Sequence, residues 1–128
     1  MGTHARIIVR HEDGTASSAY LHWDGYTDHA GKMLKQHYNT LALAEKLVAG
    51  GNMSSIYERI DPIGPHSFEA PEKGTCIYYN RDRGETEQGP EKYVSVAAAR
   101  RDADEEFNYL FENGEWKVRN QRGTFRVF

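Results

Sequence analysis

Hydrophobic and polar positions alternate over the first part of the chain in a pattern that predicts two neighbouring strands. Segments 5–11 and 16–23 are rich in β-branched and aromatic residues, which favour extended backbone. The Asp13-Gly14 dipeptide between them is typical of a tight turn. We therefore expect the fold to open with a β-hairpin.

The spacing of apolar residues changes to three and four after this hairpin, which indicates helices. The pattern predicts a first helix over 30–38, entered through polar residues 27–29, and a second helix over Leu41–Ala49. Gly50 and Gly51 are expected to end the second helix, because glycine readily adopts the left-handed conformation.

Proline and glycine interrupt the middle of the chain over 52–75, which excludes a long regular element. This stretch is expected to be an ordered loop that crosses the molecule, and long loops in compact domains are often functional. A short strand over 76–79 follows it. A polar loop over 81–90 and a brief extended segment over 93–96 complete the middle region.

The last third of the chain predicts one helix and three strands. The helix spans 96–104, and the strands span 107–111, Glu115–Arg119 and 124–128. Asn113-Gly114 is a strong signal for a hairpin turn between the first two of these strands. The expected fold class is α+β, with an antiparallel sheet of about five or six strands and two or three short helices packed on one side.

Composition limits the organisation and the partners of this chain. With 128 residues, of which 38% are hydrophobic, it fits a single domain with one modest core. The net charge of −3 argues against generic binding to duplex nucleic acid, which requires an excess of cations. A single cysteine, Cys76, excludes an intrachain disulfide, and no signal peptide or membrane-length apolar run is evident. A cytoplasmic location is the simplest expectation.

Two short segments concentrate aromatic, ionisable and glycine residues: HWDGY at 22–26 and NRDRGE at 80–85. Aromatic faces stack on an adenine ring, and arginine forks bind phosphate oxygens. The same residues are also suited to locking two turns through ion pairs and aromatic packing, and both interpretations stay open. The candidate ligand-binding residues are Trp23, Asp24, Tyr26, Lys32, Arg59, Tyr78, Tyr79, Arg81, Asp82 and Arg83.

Catalytic and metal chemistry have weaker support in the sequence. His22 and Asp24 form a pair without a third ligand at metal-binding spacing, so no metal or cofactor is expected. No Gly-x-Ser-x-Gly motif occurs, and residues such as Ser17 are expected to be strand or turn serines. A small phosphodiesterase or nucleotide hydrolase stays an alternative, because His22 and carboxylates such as Asp82 and Glu85 can converge in space.

Several motifs together resemble a widespread group of small phage proteins. This group is similar to the first-described Thoeris anti-defence family, which are phage sponges that capture cyclic ADP-ribose-type signals. Thr27 stands where the first motif is expected to have proline. The motifs that carry the resemblance are HWDGY at 22–26, GKML at 31–34, HYN at 37–39, GGNMSS at 50–55, RDRGE at 81–85, YLF at 109–111 and WKV at 116–118.

The resemblance implies a protein of an infected bacterial host's cytoplasm that is not an enzyme. It implies binding of a cyclic nucleotide-type immune signal, including cyclic oligonucleotides in some members, without cleavage. It also implies assembly as a homodimer or a higher homo-oligomer. Inhibition of another bacterial defence complex by direct protein contact is the alternative interpretation.

Overall fold

The computed structural model describes residues 3–128 and is built around an eight-stranded sheet. The strands are β1 (Ala5–Arg10), β2 (Ala16–Leu21), β3 (Met53–Ser55), β4 (Ile77–Tyr78), β5 (Glu91–Tyr93), β6 (Phe107–Glu112), β7 (Glu115–Arg119) and β8 (Arg126–Val127). The helices are α1 (Lys32–His37), which continues a π-helical turn (Thr27–Gly31), α2 (Leu41–Ala49), α3 (Tyr79–Arg83) and α4 (Val96–Asp102).

The sheet is mixed. Its strand order is β4-β3-β2-β1-β6-β7-β8, and β5 pairs with β2 beside this path. β1 and β2 form the predicted antiparallel hairpin, whereas β1 runs parallel to β6 and β2 runs parallel to β3. The α+β class is therefore confirmed, but the sheet is larger than expected and is not purely antiparallel. Helical crossovers allow strands that are distant in the sequence to pair in parallel. The local alternation of apolar and polar residues does not predict such pairing.

Helices cover both faces of the sheet, so the prediction that they pack on one side is wrong. Successive strand side chains point to opposite faces. Ile7 and Val9 of β1 belong to the larger core, which includes the buried faces of α1 and α2. Ile8 between them belongs to a smaller core with Ala99 of α4. The fold therefore has a thick layer on one side and a thinner one on the other.

Several predicted boundaries differ from the structure near polar junctions. The first helix starts earlier, as the π-helical turn Thr27–Gly31, and α1 ends at His37. The second predicted strand ends at Leu21, before the HWDGY segment. The helix predicted over 96–104 ends at Asp102, where α4 meets extended backbone. By contrast, α2 has the predicted bounds, and the Thr40 side chain accepts a hydrogen bond from the Leu43 amide at its start.

The middle of the chain is more regular than its composition predicts. The stretch 52–75 contains β3, and the polar segment after residue 80 lies in the short helix α3 rather than in a loop. The strand predicted over 76–79 is limited to Ile77–Tyr78, and the extended segment near residue 93 is Glu91–Tyr93. The last strand, expected over 124–128, is Arg126–Val127. No helix in the described chain is both long and apolar enough to span a membrane.

Two adjacent glycines allow the chain to turn tightly after α2. Gly51 has the left-handed φ of +88°, as the sequence predicts for a helix end, and a Cβ there would lie 2.1 Å from the Gln88 carbonyl oxygen. Gly50 is right-handed helical, and a Cβ there would lie 2.3 Å from the Tyr78 ring. Both positions therefore require glycine because of close neighbours.

Candidate functional site

The HWDGY segment joins β2 to the π-helical turn and is held by backbone hydrogen bonds. The amides of His22 and Trp23 donate to the carbonyls of Met53 and Ser54, each at 3.0 Å. These bonds extend the pairing of β2 with β3 beyond the last strand residue. The segment is thus an ordered extension of the sheet edge.

Asp24 and Gly25 make a sharp bend in this segment. Asp24 has a φ of +57°, a conformation that aspartate tolerates better than most residues. A Cβ at Gly25 would lie 2.7 Å from the Ala5 Cβ and 2.8 Å from the Thr3 oxygen. The Tyr109 hydroxyl donates to the Gly25 carbonyl at 2.7 Å. The bend therefore fits only a residue without a side chain at position 25.

Four rings at this end of the sheet form what we call the aromatic cluster: His4, Tyr20, His22 and Trp23. The rings of His4 and His22 stack with centroids 4.6 Å apart, and the Trp23 ring meets His22 edge-on at 4.6 Å. Tyr20 lies 5.6 Å from His4 and 5.9 Å from His22. Trp23 is 42% exposed, so the cluster presents part of the indole side chain to solvent.

Hydrogen bonds fix the orientation of the cluster. The His4 Nδ1–H donates to the His22 carbonyl at 2.8 Å. Burial, and then the neighbouring His4, lower the pKa of the His22 imidazole, which favours its neutral form. The Tyr20 hydroxyl is hydrogen-bonded to His22 Nδ1 at 2.9 Å. The cluster is therefore preorganised before any ligand arrives.

Arg6 lies beside the aromatic cluster. It stands directly opposite Tyr20 in the β1–β2 ladder, on the same face of the sheet. Its Nη1 donates to Ser18 Oγ at 3.0 Å, which leaves further guanidinium donors for a ligand. Sequence reasoning missed His4, Arg6 and Tyr20. Alternation along the predicted second strand places Tyr20 on the His22 face, whereas His4 lies before the predicted first strand.

The second segment is organised around the carboxylate of Asp82, whose side chain is only 4% exposed. Arg81 donates to both carboxylate oxygens, at 2.7 and 3.0 Å, and the Tyr78 amide donates at 2.8 Å. Burial alone raises the pKa of Asp82, but the hydrogen bonds from Arg81, the Tyr78 amide and His66 outweigh it, so the pKa lies below its ordinary value. Asp82 is therefore a charged anchor inside the protein.

His66 completes the shell of this carboxylate. Its Nδ1 accepts a hydrogen bond from the Glu72 amide at 2.9 Å, so the ring proton lies on Nε2. That nitrogen is 3.1 Å from Asp82 Oδ2 and donates to it. Arg81 also donates to the carbonyls of Ile60 and Cys76, at 2.7 and 3.0 Å. These contacts join the long loop to α3.

Arg59 and Glu72 hold the other part of the loop. Glu72 accepts hydrogen bonds from the amides of Ile63 and Gly64 and from the Thr75 hydroxyl, at 3.0, 2.8 and 2.6 Å. The Thr75 hydroxyl, and then the Ile63 amide, lower the pKa of Glu72 to about 2. Arg59 donates to the Lys73 carbonyl at 2.6 Å and lies 3.5 Å from Glu72. Both residues are thus engaged in ordering the loop.

We predict that acid loosens this loop through Glu72. Its folded pKa of about 2 lies below the ordinary 4.5, so its contribution is complete above pH 4.5 and is lost as the pH falls toward 2. Glu72→Gln should show faster amide exchange over residues 60–75 at neutral pH. Between pH 5 and 3, its protection factors, which correct for the slower intrinsic exchange in acid, should fall less than those of the parent protein. Equal exchange in both proteins across this pH range would contradict the assignment.

Tyr79 and Arg83 lie on the outer surface of α3. The Arg83 guanidinium lies over the rings of Phe68 and Tyr79, with distances of 4.9 and 5.7 Å to the centroids, and its Nε is 2.8 Å from Glu85. Tyr78, in contrast, is 1% exposed, and its hydroxyl donates to the Leu47 carbonyl at 2.6 Å. Tyr78 therefore has no free face for stacking, whereas Tyr79 and Arg83 remain accessible.

The remaining predicted site residues, Lys32 and Tyr26, lie apart from the groups around Asp82 and Arg83. Lys32 begins α1 and lines a shallow pocket of about 340 Å³ that also includes Phe128. Tyr26 is 40% exposed, and its carbonyl accepts hydrogen bonds from the π-helical turn. Within residues 3–128, no group of three or more His, Cys, Asp or Glu side chains is arranged to hold a metal ion. The predicted residues thus divide among several places rather than lining one pocket.

A link through Asn52 nevertheless brings parts of the two motifs together. Asn52 Oδ1 accepts a hydrogen bond from the Tyr20 amide at 3.0 Å, and its carbonyl accepts one from the Tyr79 amide at 3.1 Å. These two hydrogen bonds therefore connect the strand of the aromatic cluster to the start of α3, where the Arg83 guanidinium lies over the Tyr79 ring.

The fold and this surface define an α+β protein with a preorganised aromatic cluster beside arginine side chains. No protein-family model matches the chain, and comparisons with curated proteins and with solved structures also give no match.

Proposed function

We propose that this protein binds and sequesters a nucleotide-type signal at the surface formed by the aromatic cluster, Arg6, Tyr79 and Arg83. The observation that carries the proposal is the half-exposed Trp23 ring, which packs on His22 of the stacked histidine pair. Helix α4 packs over Ile8 on this face, farther along β1, and leaves the cluster partly exposed.

The chemistry of a cyclic ADP-ribose-type molecule suits such a surface. An adenine ring stacks on indole or phenol faces, and its phosphates accept hydrogen bonds from arginine. Arg6 and Arg83 supply the guanidinium groups, and the Asp24 carboxylate, at the exposed bend, is a suitable acceptor for ribose hydroxyls. Capture requires affinity for the intact ligand, not for a transition state.

The resemblance of the motifs supports a biological setting for this binding. A phage protein that holds an immune signal lowers its free concentration in the infected cell, so the defence that depends on the signal is not triggered. We also propose that the protein assembles as a homodimer or a higher homo-oligomer. Light scattering tests this by measuring the molar mass in solution.

Binding is tested with purified protein and a panel of cyclic ADP-ribose isomers and cyclic oligonucleotides. A ligand should raise the melting temperature, and heat denaturation should release it unchanged. Trp23→Ala should weaken binding by about 10-fold or more, since stacking on one base contributes about 1–3 kcal/mol. Arg6→Ala should weaken binding by about 10-fold or more because it removes a hydrogen bond to a charged phosphate, which contributes about 1.5–3 kcal/mol. Arg10→Ala is the matched control, because Arg10 is exposed on the same strand and face at its far end.

The panel also separates the alternatives. Absence of any melting shift, with no nucleotide released from the purified protein, would refute capture. Recovery of a cleaved product that disappears in His22→Ala would favour the phosphodiesterase. Stoichiometric capture of a host defence protein without any nucleotide effect would favour direct protein inhibition.

A further inference from the structure

A groove of about 960 Å³ lies at the opposite end of the β1–β2 hairpin from the aromatic cluster. Its walls come from the hairpin turn, the start of β2, one side of α2 and the segment around β5. Ser17, at 9% exposure, lines this groove together with His11 and Glu45. None of these three residues takes part in the surface described above.

The three side chains form a continuous hydrogen-bonded chain. Glu45 Oε2 is 2.6 Å from His11 Nδ1, and His11 Nε2 is 2.7 Å from Ser17 Oγ. A carboxylate only accepts hydrogen bonds, so Nδ1 carries the proton and Nε2 accepts from the serine hydroxyl. This is the tautomer in which an imidazole can remove a proton from a serine.

Three separate elements bring these residues together. His11 follows β1, Ser17 is the second residue of β2, and Glu45 lies in the middle of α2. Ser17 and Ala19 share a strand face, and Ala19 belongs to the core that includes α2. The sequence correctly predicts that Ser17 lies in a strand. It does not show that the hairpin turn brings the His11 side chain next to Ser17.

We propose that Ser17, His11 and Glu45 form a Ser–His–acid triad that hydrolyses neutral carboxylic esters in this groove. Ser17 is the nucleophile, His11 is the general base and acid, and Glu45 is a positioning residue that orients His11. This activity is separate from nucleotide capture, because it uses the other end of the hairpin and the opposite face of β2.

The lining of the groove indicates the class of substrate. Glu12 and Asp13 join Glu45 in giving the groove a negative charge, which disfavours phosphate esters and other anions. Ala16, Ala49, Pro90 and Val94 add apolar surface that suits an acyl chain. Lys92 stands opposite Ser17 in the β2–β5 ladder and also lines the groove. Its ammonium group is the candidate for stabilising an oxyanion.

The reaction balances with water as the second reactant. Ser17 Oγ attacks the ester carbonyl carbon while its proton passes to His11 Nε2. The tetrahedral intermediate collapses, the bond to the alcohol oxygen breaks, and His11 Nε2–H protonates the departing alkoxide. A water molecule then loses a proton to His11 and attacks the acyl carbon. The Ser17 ester bond breaks, and Oγ recovers its proton from His11.

Covalent labelling and ester hydrolysis test this triad in the intact chain. A fluorophosphonate probe should attach to Ser17 with loss of fluoride, as mapped by peptide mass spectrometry. Hydrolysis of p-nitrophenyl butyrate should fall about 100-fold or more in Ser17→Ala and in His11→Ala. Ser18→Ala is the matched control, because this neighbouring hydroxyl is on the other face, bonded to Arg6, and it should keep full activity.

Glu45→Gln distinguishes a positioning role from simple structural support. An amide at this position still accepts a hydrogen bond but lacks the charge that stabilises protonated His11, so kcat should fall while KM stays constant. Wild-type protein that is neither labelled at Ser17 nor faster than Ser17→Ala would overturn the triad. Ser17-dependent hydrolysis of bis(p-nitrophenyl) phosphate would overturn the proposed substrate class.

Discussion

Replacing Gly51 by alanine is expected to destabilise the protein by about 4 kcal/mol in the free energy of unfolding. The left-handed backbone at this position contributes about 1–2 kcal/mol of the loss in a residue with a Cβ. The remainder comes from overpacking, since the added Cβ would lie 2.1 Å from the Gln88 carbonyl oxygen. That carbonyl accepts a hydrogen bond from the Asn52 amide at 2.8 Å, so its displacement also disturbs Asn52.

Gly84→Ala is the matched control for this substitution. Gly84 has a similar left-handed φ of +73°, but a Cβ there meets no atom within 4 Å. Gly84→Ala should lower the free energy of unfolding by about 1 kcal/mol, because only the conformational contribution applies there. Chemical denaturation measures the free energy of unfolding of both variants. Equal decreases would show that the backbone around Gln88 can move away from the added Cβ without loss of stability.

Asp82→Ala is expected to cost about 3 kcal/mol and to lower the melting temperature by about 10 °C. The substitution leaves the Tyr78 amide and the His66 Nε2–H without their acceptor, and it leaves the Arg81 guanidinium without its carboxylate. The Arg81 side chain is 35% exposed, so water screens part of this loss. Thermal denaturation measures the change.

Asp61→Ala is the control, because Asp61 forms an ion pair with Lys46 and its side chain is 68% exposed. It should change stability by less than about 1 kcal/mol. The acid response gives a second test of Asp82. Its folded pKa is below the ordinary 3.8, so its stabilisation is present above that pH and is lost as the pH falls through the folded pKa. Asp82→Asn should remove this component of acid sensitivity, and an unchanged acid response would contradict the assignment.

Local signals in the sequence predicted local structure well. Asn113 and Gly114 have φ values of +53° and +78°, as a hairpin turn with this dipeptide requires, and they join β6 to β7. The parallel pairing of β1 with β6 was not predictable, because it joins residues such as Ile8 and Leu110 that are far apart in the chain. Such pairing depends on how the helices pack, and hydrophobic alternation does not encode it.

In the candidate site too, short motifs were recognisable in the sequence, whereas contacts between residues far apart in the chain were not. HWDGY and NRDRGE were recognisable as unusual. Of the two interpretations of the second segment, the ion pairs are present in the fold, and ligand binding stays a prediction. Arg81 forms an ion pair with Asp82, and Arg83 forms one with Glu85. The Arg83 guanidinium also lies over the half-buried rings of Phe68 and Tyr79. His66 was not predicted as a partner of Asp82, because no sequence spacing connects a loop histidine to a carboxylate sixteen positions later.

The two ends of the sheet restrict how copies of this protein can associate. β4 and β8, which terminate the strand order, each contain only two residues. Such short edge strands offer few unpaired amides and carbonyls, so they are poor templates for pairing with a strand of another molecule. An oligomer of this chain is therefore expected to form through side-chain contacts at positions such as Ile63, which is 79% exposed. Its stability should then depend on apolar burial and weaken on cooling.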